Sequence, residues 1–479
     1  MISKYEILEF ARTYGLDANI VEKDYVIGWV LAGISQRPEL ADTWILKGGT
    51  CLKKCFLETY RFSEDLDFTL LNSDHLQADF LIDAFSAIAQ WIYDQSGIEI
   101  PKERLRFDIY ASTRGKPAGE GRLYYRGPMG RQGDPPRIKL DLTIDEVVVL
   151  KPEHHEIFHP YSDKPEGSLF ALCYSMTELF AEKIRALAER LRPRDLYDVV
   201  FLSRLDDLDI DRSFLREALE KKCGFKGVAI PTLASLESNP GRAELETEWE
   251  NMLSHQLPLL PPFEEYWRGL PLVFDMVSGI PAEPPRAGIP FGVDIDDTWR
   301  PPRRFVDIIS SHLVETIRFA ASNRLCVNLR YKGTQRIIEP YSLRRTKRGD
   351  ILLYGVKHQT GEIRAYRLDR IEGAEATNIS FIPRFVVELT AINTAPLTSR
   401  FRMPSESANI GPKRSLRGAP RQIARIGPYY RGPRYIYRCP ICQKKFIKKT
   451  NDSNLNPHKN QNGVACPGRT GYLEEVKSP

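Results

Sequence analysis

The spacing of hydrophobic and polar positions changes along the chain and predicts its elements. Residues 43–47 are mostly apolar, and apolar residues alternate with polar ones over 65–70 and 138–144. Both patterns are typical of β-strands, because successive side chains of a strand point to opposite faces. Residues 175–191 instead repeat apolar positions at the spacing of an amphipathic helix. Strands and helices are therefore mixed in the N-terminal part of the chain.

Short strand patterns dominate the chain after residue 325. Gly349 and Gly361 fall at turns between them. A small β-barrel is the natural fold for strands of this length and spacing. The apolar or alternating segments are 325–331, 351–356, 363–371 and 385–389.

Two proline-rich stretches divide the chain. Residues 281–304 contain six prolines, too many for a helix or a central strand. Residues 396–435 mix Pro, Gly, Ser and Arg without hydrophobic periodicity, which predicts a flexible basic linker. The predicted segments are an α/β domain at 1–205, a helical extension at 206–280, the proline-rich linker at 281–304, the β-barrel at 305–395, the basic linker at 396–435 and a small C-terminal module at 436–479.

The composition is that of an ordinary water-soluble protein. The 479 residues are 42% hydrophobic and 27% charged, which excludes global disorder. The longest apolar run, 26–34, has nine residues, against the roughly 20 that a membrane helix needs. The N-terminus lacks a charged-then-apolar signal segment. We therefore expect a cytoplasmic protein without a membrane partner.

The net charge of +5 conceals an asymmetry. Residues 400–459 hold nine Arg and six Lys against two acids, a balance of +13, whereas residues 1–399 carry −8. A basic tail on an acidic body favours contact with a polyanion, above all a nucleic acid. The alternative is a solvated linker that happens to be rich in arginine.

Carboxylates share one face of two predicted strands. Asp65 and Asp67 lie one pleat apart, and Asp141 occupies the polar face of the strand at 138–144. Carboxylate oxygens are the ligands that Mg²⁺ prefers, and three of them on neighbouring strands would complete a two-metal site for phosphoryl transfer. The alternative is a polar strand face with solvated acids.

A glycine pair stands between the strand at 43–47 and a helix predicted to begin near Thr50. Gly48-Gly49 would let backbone N–H groups approach a phosphate, although tight turns of this kind are common without one.

Further charged residues lie on the next two predicted helices. The helix at 175–191 begins with a Ser175/Glu178 capping box and carries Lys183. Arg194 and Asp198 follow at an i,i+4 spacing. In a functional site Lys183 and Arg194 would bind phosphate and Asp198 would orient them. Alternatively, Arg194 and Asp198 form a surface pair that contributes only tenths of a kcal/mol.

Four motifs, in order, carry a family resemblance: ILKGGTCLKKCF, RFSEDLDFTLL, IKLDLT and LFAEKIRALAERLRPRDLYDVVFL. With VEKDYVIGWVL before them, they resemble the AbiEii/AbiGii-toxin family of nucleotidyltransferases over residues 5–205. That family belongs to the DNA polymerase β-like superfamily, which implies a mixed sheet flanked by helices. The resemblance implies a nucleotide-binding set of Gly48, Gly49, Thr50, Ser63 and Arg194, magnesium ligands at Asp65, Asp67 and Asp141, and catalytic roles for these three acids with Lys183 and Asp198.

The resemblance also implies an activity. Family members are toxins of toxin–antitoxin and abortive-infection systems, and related enzymes add nucleotides to tRNA 3′ ends. We therefore expect NMP transfer from an NTP to RNA with Mg²⁺, and a separate antitoxin as partner. The alternative is a nucleic-acid-binding regulator whose transferase domain only binds, and a third reading is modification of a protein hydroxyl.

The segment from NLRYKGTQRIIEPYSL to IRAYRLDRI resembles the WYL domain, an SH3/Sm-like barrel of bacterial defence regulators. The name-giving tripeptide is replaced by Leu353-Tyr354-Gly355. The resemblance implies that a nucleotide or single-stranded nucleic acid binds at Tyr354, Arg364, Arg367 and Arg370. Alternatively, these arginines are structural and pair with Asp369 and Glu372.

Three of the eight cysteines lie near the C-terminus, and with one histidine they have zinc-ligand spacing: Cys439, Cys442, His458 and Cys466. Such a set closes a tetrahedral structural Zn²⁺ site, and a short module needs the metal to fold. The alternative is leftover cysteines in a disordered tail. The remaining five cysteines are interpreted as buried reduced thiols, including Cys51 and Cys55, which could share a helix face.

Overall fold

The computed structural model describes residues 1–112, 114–165, 167, 169–205, 208, 210–279, 287–291, 294–296, 299, 311–389, 434–439, 441–442, 444–448, 452–455, 458–459, 465–466 and 470–477. They belong to two compact units, Met1–Met403 and Pro404–Pro479. Most of the proline-rich linker predicted at 281–304, and all but the last two residues of the basic linker predicted at 396–435, lie outside the described residues.

A seven-stranded mixed sheet organises the N-terminal part of the first unit. Its strands are β1 (Trp44–Lys47), β2 (Asp65–Leu70), β3 (Arg106–Ala111), β4 (Pro117–Tyr124), β5 (Arg137–Thr143), β6 (Glu153–Glu156) and β7 (Phe170–Cys173). The strand order is β3-β4-β5-β2-β1-β7-β6, with β2 parallel to β5 and β1 parallel to β7. The alternating pattern explains β2 and β5, because Leu66, Phe68 and Leu140 are buried while the polar positions between them are less so.

Helices cover the sheet and continue beyond it. They are α1 (Lys4–Tyr14), α2 (Ala18–Ser35), α3 (Pro38–Ala41), α4 (Gly48–Cys51), α5 (Ala78–Ser96), α6 (Met176–Arg190), α7 (Pro193–Ser203), α8 (Arg212–Lys226), α9 (Leu233–Glu237), α10 (Arg242–Leu253), α11 (Phe263–Trp267) and α12 (Leu270–Val277). A π-helical turn, Leu52–Phe56, extends α4. Among the described residues, no helix combines the length and apolar character needed to cross a membrane.

Only half of the predicted capping box forms at the start of α6. The Ser175 side chain accepts a hydrogen bond from the Glu178 N–H, as expected for an N-cap. The Glu178 carboxylate instead accepts the N–H groups of Val149 and Leu150, at 3.0 and 2.8 Å. Glu178 therefore anchors the segment after β5 to α6 and does not turn back to the helix end.

A second sheet, antiparallel and five-stranded, follows helix α13 (Ser311–Ser322). Its strands are β8 (Leu325–Tyr331), β9 (Thr334–Arg345), β10 (Ile351–Lys357), β11 (Ile363–Arg367) and β12 (Ile371–Ser380), in the order β11-β10-β9-β8-β12. The sequence pattern did not predict β9, because Pro340 interrupts it. A β-bulge accommodates this proline at the point where the register with β10 shifts, between Tyr354 and Gly355.

The prediction of a strand at 385–389 is wrong. That segment makes single backbone hydrogen bonds, from Val386 N to Ala287 O and from Glu388 N to Tyr341 O, and no ladder. β12 takes the edge position instead and pairs with β8.

The second sheet and the N-terminal part of the first unit share a continuous hydrophobic core that runs from Ile2 to Leu389. At their junction Asn323, just after α13, accepts hydrogen bonds from the hydroxyls of Tyr197 and Tyr266, at 3.0 and 2.6 Å. All three side chains are buried. The first unit therefore combines both sheets around one core.

The second unit contains two small antiparallel sheets. β13 (Arg434–Arg438) lies between β14 (Lys445–Lys448) and β17 (Tyr472–Lys477), and β15 (His458–Lys459) pairs with β16 (Ala465–Cys466). Its small core consists of Tyr437, Cys439, Leu455 and Cys466.

Candidate functional site

Two glycines begin α4 at the end of β1, and contacts explain why neither position can carry a side chain. Gly48 has φ +76°, and a Cβ built on it would overlap Oδ2 of Asp67. A Cβ on Gly49 would lie 2.7 Å from Nη2 of Arg61 and 2.9 Å from Oγ of Ser63. The Thr50 hydroxyl donates a hydrogen bond to the Asp65 carbonyl oxygen. The turn is therefore packed directly against the segment that carries the carboxylates.

The three predicted metal ligands lie side by side on neighbouring strands. Asp67 of β2 and Asp141 of β5 are register partners in the parallel pair, and Asp65 is two residues earlier on β2, on the same face. Burial raises the pKa of the Asp65 carboxyl, and Asp141 adds to this effect. Burial also raises the pKa of Asp67, again with a contribution from Asp141, while Lys47 opposes it. Like charges concentrated in this way are what a divalent cation would stabilise.

Lysines lie around this face and form ion pairs with acidic side chains. Lys139 Nζ lies 2.9 Å from Oδ1 of Asp141 and 3.3 Å from Oε2 of Glu120. Burial lowers the pKa of Lys139, but the pairing with Asp141 and Glu120 outweighs it and raises the pKa overall. Lys23 similarly pairs with Glu64 at 3.0 Å. The acids next to the site thus prevent the lysines from neutralising all three aspartates.

Asp198 forms a second, buried cluster. Arg61 donates from Nε to Oδ1 at 2.6 Å and from Nη2 to Oδ2 at 2.7 Å, Lys183 Nζ lies 2.7 Å from Oδ2, and Tyr60 donates its hydroxyl. Burial alone would raise the pKa of Asp198, but the charges of Arg61 and Lys183 hold it well below its usual range. Asp198 is therefore a permanently ionised acceptor that fixes two cations behind the glycine turn. This arrangement differs from the surface pair with Arg194 that the i,i+4 spacing allows.

Arg194 is a partly buried cation with spare donor capacity. Its Nε has no hydrogen-bond partner within the described part of the chain. Burial and the nearby charge of Arg61 lower its pKa, while Asp65 and Glu64 oppose this. A guanidinium in this position suits an anionic ligand.

Residues that sequence patterns did not single out complete the cluster. Arg61 also donates from Nη1 to Oε1 of Gln256 at 2.9 Å, which ties the site to the 3-10 turn that follows α10. Asp195 is fully buried, and its carboxylate accepts hydrogen bonds from Nε and Nη2 of Arg190, at 2.7 and 2.9 Å. The position of Arg61 in RFSEDLD, directly before the carboxylate strand, was the only signal for it.

The residues predicted to bind a ligand on the second sheet do not converge. Tyr354 is buried and stacks edge-on against Phe291 at 4.8 Å. Arg364 is the register partner of Gly355, so it points to the opposite face from Tyr354. Arg364 pairs with Glu362, and Arg367 pairs with Asp350 and Asp369 at 2.9 Å each. Arg370 is exposed.

The four predicted zinc ligands meet in the second unit. Cys439 and Cys442 lie between β13 and β14, and His458 of β15 is the register partner of Cys466 of β16. Their ligand atoms all lie within 4.8 Å of one another, with Cys442 Sγ 3.1 Å from His458 Nε2. The backbone N–H groups of Cys442 and Ile441 lower the pKa of the Cys439 thiol to about 6. Three sulfurs and one imidazole nitrogen fit a tetrahedral structural zinc ion.

Comparison with known proteins identifies two regions of the chain. The family model described as nucleotidyl transferase AbiEii toxin, type IV toxin–antitoxin system, matches residues 29–269, about half of the chain, and a WYL-domain model matches residues 312–376. None of the curated proteins matches the chain.

Solved structures are similar to this chain at low identity. The nucleotidyltransferase toxin MenT4 from Mycobacterium tuberculosis H37Rv is 16% identical, with 59% of this chain and 91% of that chain covered and a TM-score of 0.43. JHP933 from Helicobacter pylori is 18% identical, with 55% and 94% covered and a TM-score of 0.34. The predicted mixed α/β fold is confirmed, and the strands predicted to form a small β-barrel form a separate five-stranded antiparallel sheet. The chain belongs to the AbiEii family of nucleotidyltransferase toxins, and its transferase region is followed by a WYL domain.

Proposed function

We propose that this nucleotidyltransferase transfers a nucleoside monophosphate from an NTP to a hydroxyl of RNA, with the tRNA 3′ end as acceptor. The single observation that carries the proposal is the alignment of Asp65, Asp67 and Asp141 on one sheet face, directly beside the Gly48-Gly49 turn. This combination brings a phosphate-binding turn and anionic metal ligands into one site.

Each residue has a role in the proposed transfer. The backbone of Gly48 and Gly49, with the side chains of Thr50, Ser63 and Arg194, binds the triphosphate. The acceptor hydroxyl attacks the α-phosphorus, a new P–O bond forms, the bond between the α-phosphorus and the bridging oxygen breaks, and pyrophosphate leaves. Asp141 accepts the proton of the attacking hydroxyl. Lys139, whose Nζ lies 2.9 Å from Oδ1, orients this carboxylate.

Magnesium held by Asp65, Asp67 and Asp141 would supply positive charge to the triphosphate and to the leaving pyrophosphate. Burial raises the pKa values of Asp65 and Asp67, and Asp141 adds to the effect in both, which supports this assignment because a bound cation would stabilise these carboxylates.

Lys183 and Asp198 act as a unit in this proposal. Lys183 contributes a cation to the phosphates, and Asp198 holds it in place at 2.7 Å. Because Asp198 also binds Arg61, a single carboxylate positions both cations.

Partners follow from charge and composition. We propose that the basic residues of 400–459 contribute to nucleic-acid binding, with the exposed Arg364 and Arg370 of the WYL domain as further contacts. A cognate antitoxin and a cytoplasmic location complete the proposal. The family description, a toxin of a type IV toxin–antitoxin system, supports the antitoxin.

The test is transfer from four α-³²P-labelled NTPs to total cellular RNA with Mg²⁺, comparing the wild type with Asp65→Asn/Asp67→Asn. Label in a tRNA band, absent from the variant, is the expected result. Label that survives RNase would assign a protein acceptor instead. If no label appears but RNA binding persists, the chain acts as a nucleic-acid-binding regulator.

A further inference from the structure

Three cysteines from separate elements meet in the core behind the glycine turn. Cys51 ends α4, Cys55 lies in the π-helical turn, and Cys173 ends β7. Their sulfur atoms all lie within 4.8 Å of one another, and the residues are 0%, 2% and 0% exposed. Cys51 and Cys55 share a helix face, as their spacing allows, but the parallel pairing of β1 with β7 brings in the third thiol, because Leu46 is the register partner of Cys173.

The distances are compatible with a shared metal ion. Sulfur ligands lie about 2.3 Å from a zinc ion, so sulfurs around one such ion are roughly 3.8–4 Å apart. The separation here, at most 4.8 Å, requires the thiols to move inward by less than about 1 Å. The π-helical turn that carries Cys55 is a wider and rarer form of helix, which often marks functional sites.

We propose that Cys51, Cys55 and Cys173 bind a soft, thiophilic metal ion. Within the described residues the cluster contains neither histidine nor carboxylate, so the ligand set is three sulfurs. Thiolate sulfur selects Cu(I) and Zn(II) over Mg²⁺, and three sulfurs without a fourth protein ligand suit Cu(I) better than tetrahedral Zn(II). This site is separate from the C-terminal cluster, which belongs to the other compact unit.

The ion would fix the position of the glycine turn. Cys51 directly follows Thr50, whose hydroxyl donates to the Asp65 carbonyl oxygen. A metal bridge from Cys51 to Cys173 would therefore tie this part of the chain to β7 and restrict its movement. This consequence rests on the proposed function, whereas metal binding itself does not.

Metal binding is tested on the full-length protein with the C-terminal cluster removed by Cys439→Ala/Cys442→Ala. The protein is titrated anaerobically with Cu(I) buffered by a chromogenic chelator, and in parallel with Zn(II). We expect one equivalent of Cu(I) to be retained and Zn(II) to be held more weakly. Cys55→Ser and Cys173→Ser should lose the Cu(I), whereas Cys223→Ser, which alters a buried cysteine of α8 outside the cluster, should retain it.

Failure of a variant to fold is separated from loss of the site by X-ray absorption on the unsubstituted cluster. Three sulfur neighbours at about 2.3 Å are expected. Nitrogen or oxygen neighbours, no retained ion of either kind, or retention in Cys55→Ser/Cys173→Ser would each overturn the proposal. Since the readout is binding, its failure leaves the nucleotide-transfer test unaffected.

Discussion

Arg61 and Asp198 form a two-pronged, fully buried ion pair, in which Nε and Nη2 each donate to a different carboxylate oxygen, at 2.6 and 2.7 Å. Arg61 precedes the carboxylate strand and Asp198 lies in α7, so the pair connects the two halves of the site. Its guanidinium also contacts the space that a side chain on Gly49 would occupy. The geometry of the glycine turn therefore depends on this pair.

Arg61→Lys keeps the positive charge but loses the paired hydrogen bonds that the guanidinium makes to the two carboxylate oxygens of Asp198. We expect the free energy of unfolding to fall by about 1.5–3 kcal/mol, the range for hydrogen bonds to charged groups. Nucleotide transfer should fall roughly tenfold or more, which corresponds to about 1.4 kcal/mol in the barrier. Denaturant unfolding and transfer assays measure the two effects.

The matched control is Arg126→Lys, whose side chain is 65% exposed and pairs with Glu99 at the surface. It should change stability by less than about 0.5 kcal/mol. Equal effects of the two substitutions on transfer would contradict a positioning role for Arg61.

Gly48→Ala should abolish transfer while the fold persists. An added methyl group would overlap Oδ2 of Asp67, so either the turn or the carboxylate must move. Gly115→Ala is the control, because Gly115 has nearly the same φ, +74° against +76°, and open space around its missing Cβ. Both variants bear backbone strain of about 1–2 kcal/mol, but only Gly48→Ala should lose activity. Comparable activity in the two would rule out the steric argument.

Asp67→Asn should make the protein more stable and inactive at neutral pH. Burial raises the pKa of Asp67, so the folded state binds more protons than the unfolded state, and stability falls as pH rises above the unfolded pKa of about 3.9. The substitution removes this penalty, and we expect a gain in stability at pH 7 that disappears below pH of about 3.9.

The measurement is thermal unfolding across pH, with and without Mg²⁺. Mg²⁺ should raise the melting temperature of the wild type and have little effect on Asp67→Asn, since binding stabilises the folded state by mass action. A variant that is less stable at pH 7, or that keeps the full response to Mg²⁺, would be inconsistent with Asp67 as a metal ligand.

Cys442→Ser should release zinc and unfold the C-terminal unit. The small core of that unit contains two of the proposed ligands, so the metal and the fold are expected to be lost together. Metal analysis and hydrogen exchange of residues 434–477 measure both effects. The first unit should keep its melting temperature, and Cys223→Ser should leave zinc content unchanged.

Sequence patterns went furthest where side chains alternate along a strand. Alternation placed Asp65 and Asp67 on one face, but only the pairing of β2 with β5 shows that Asp67 and Asp141 are register partners. Arg61 and Cys173 depend on long-range packing, which local periodicity does not encode. Tyr354 matched a family motif, yet its strand β10 lies between β9 and β11 and the tyrosine is buried.

Asn323 gives the WYL domain a place in the folding of the toxin itself. Because its amide oxygen serves the hydroxyls of both Tyr197 and Tyr266, a chain cut between residues 280 and 310 would leave two hydroxyls of the transferase region without this acceptor and would uncover apolar surface around them. The two regions that match family models are therefore not interchangeable domains. We therefore expect the transferase and the WYL domain to unfold together as one cooperative unit.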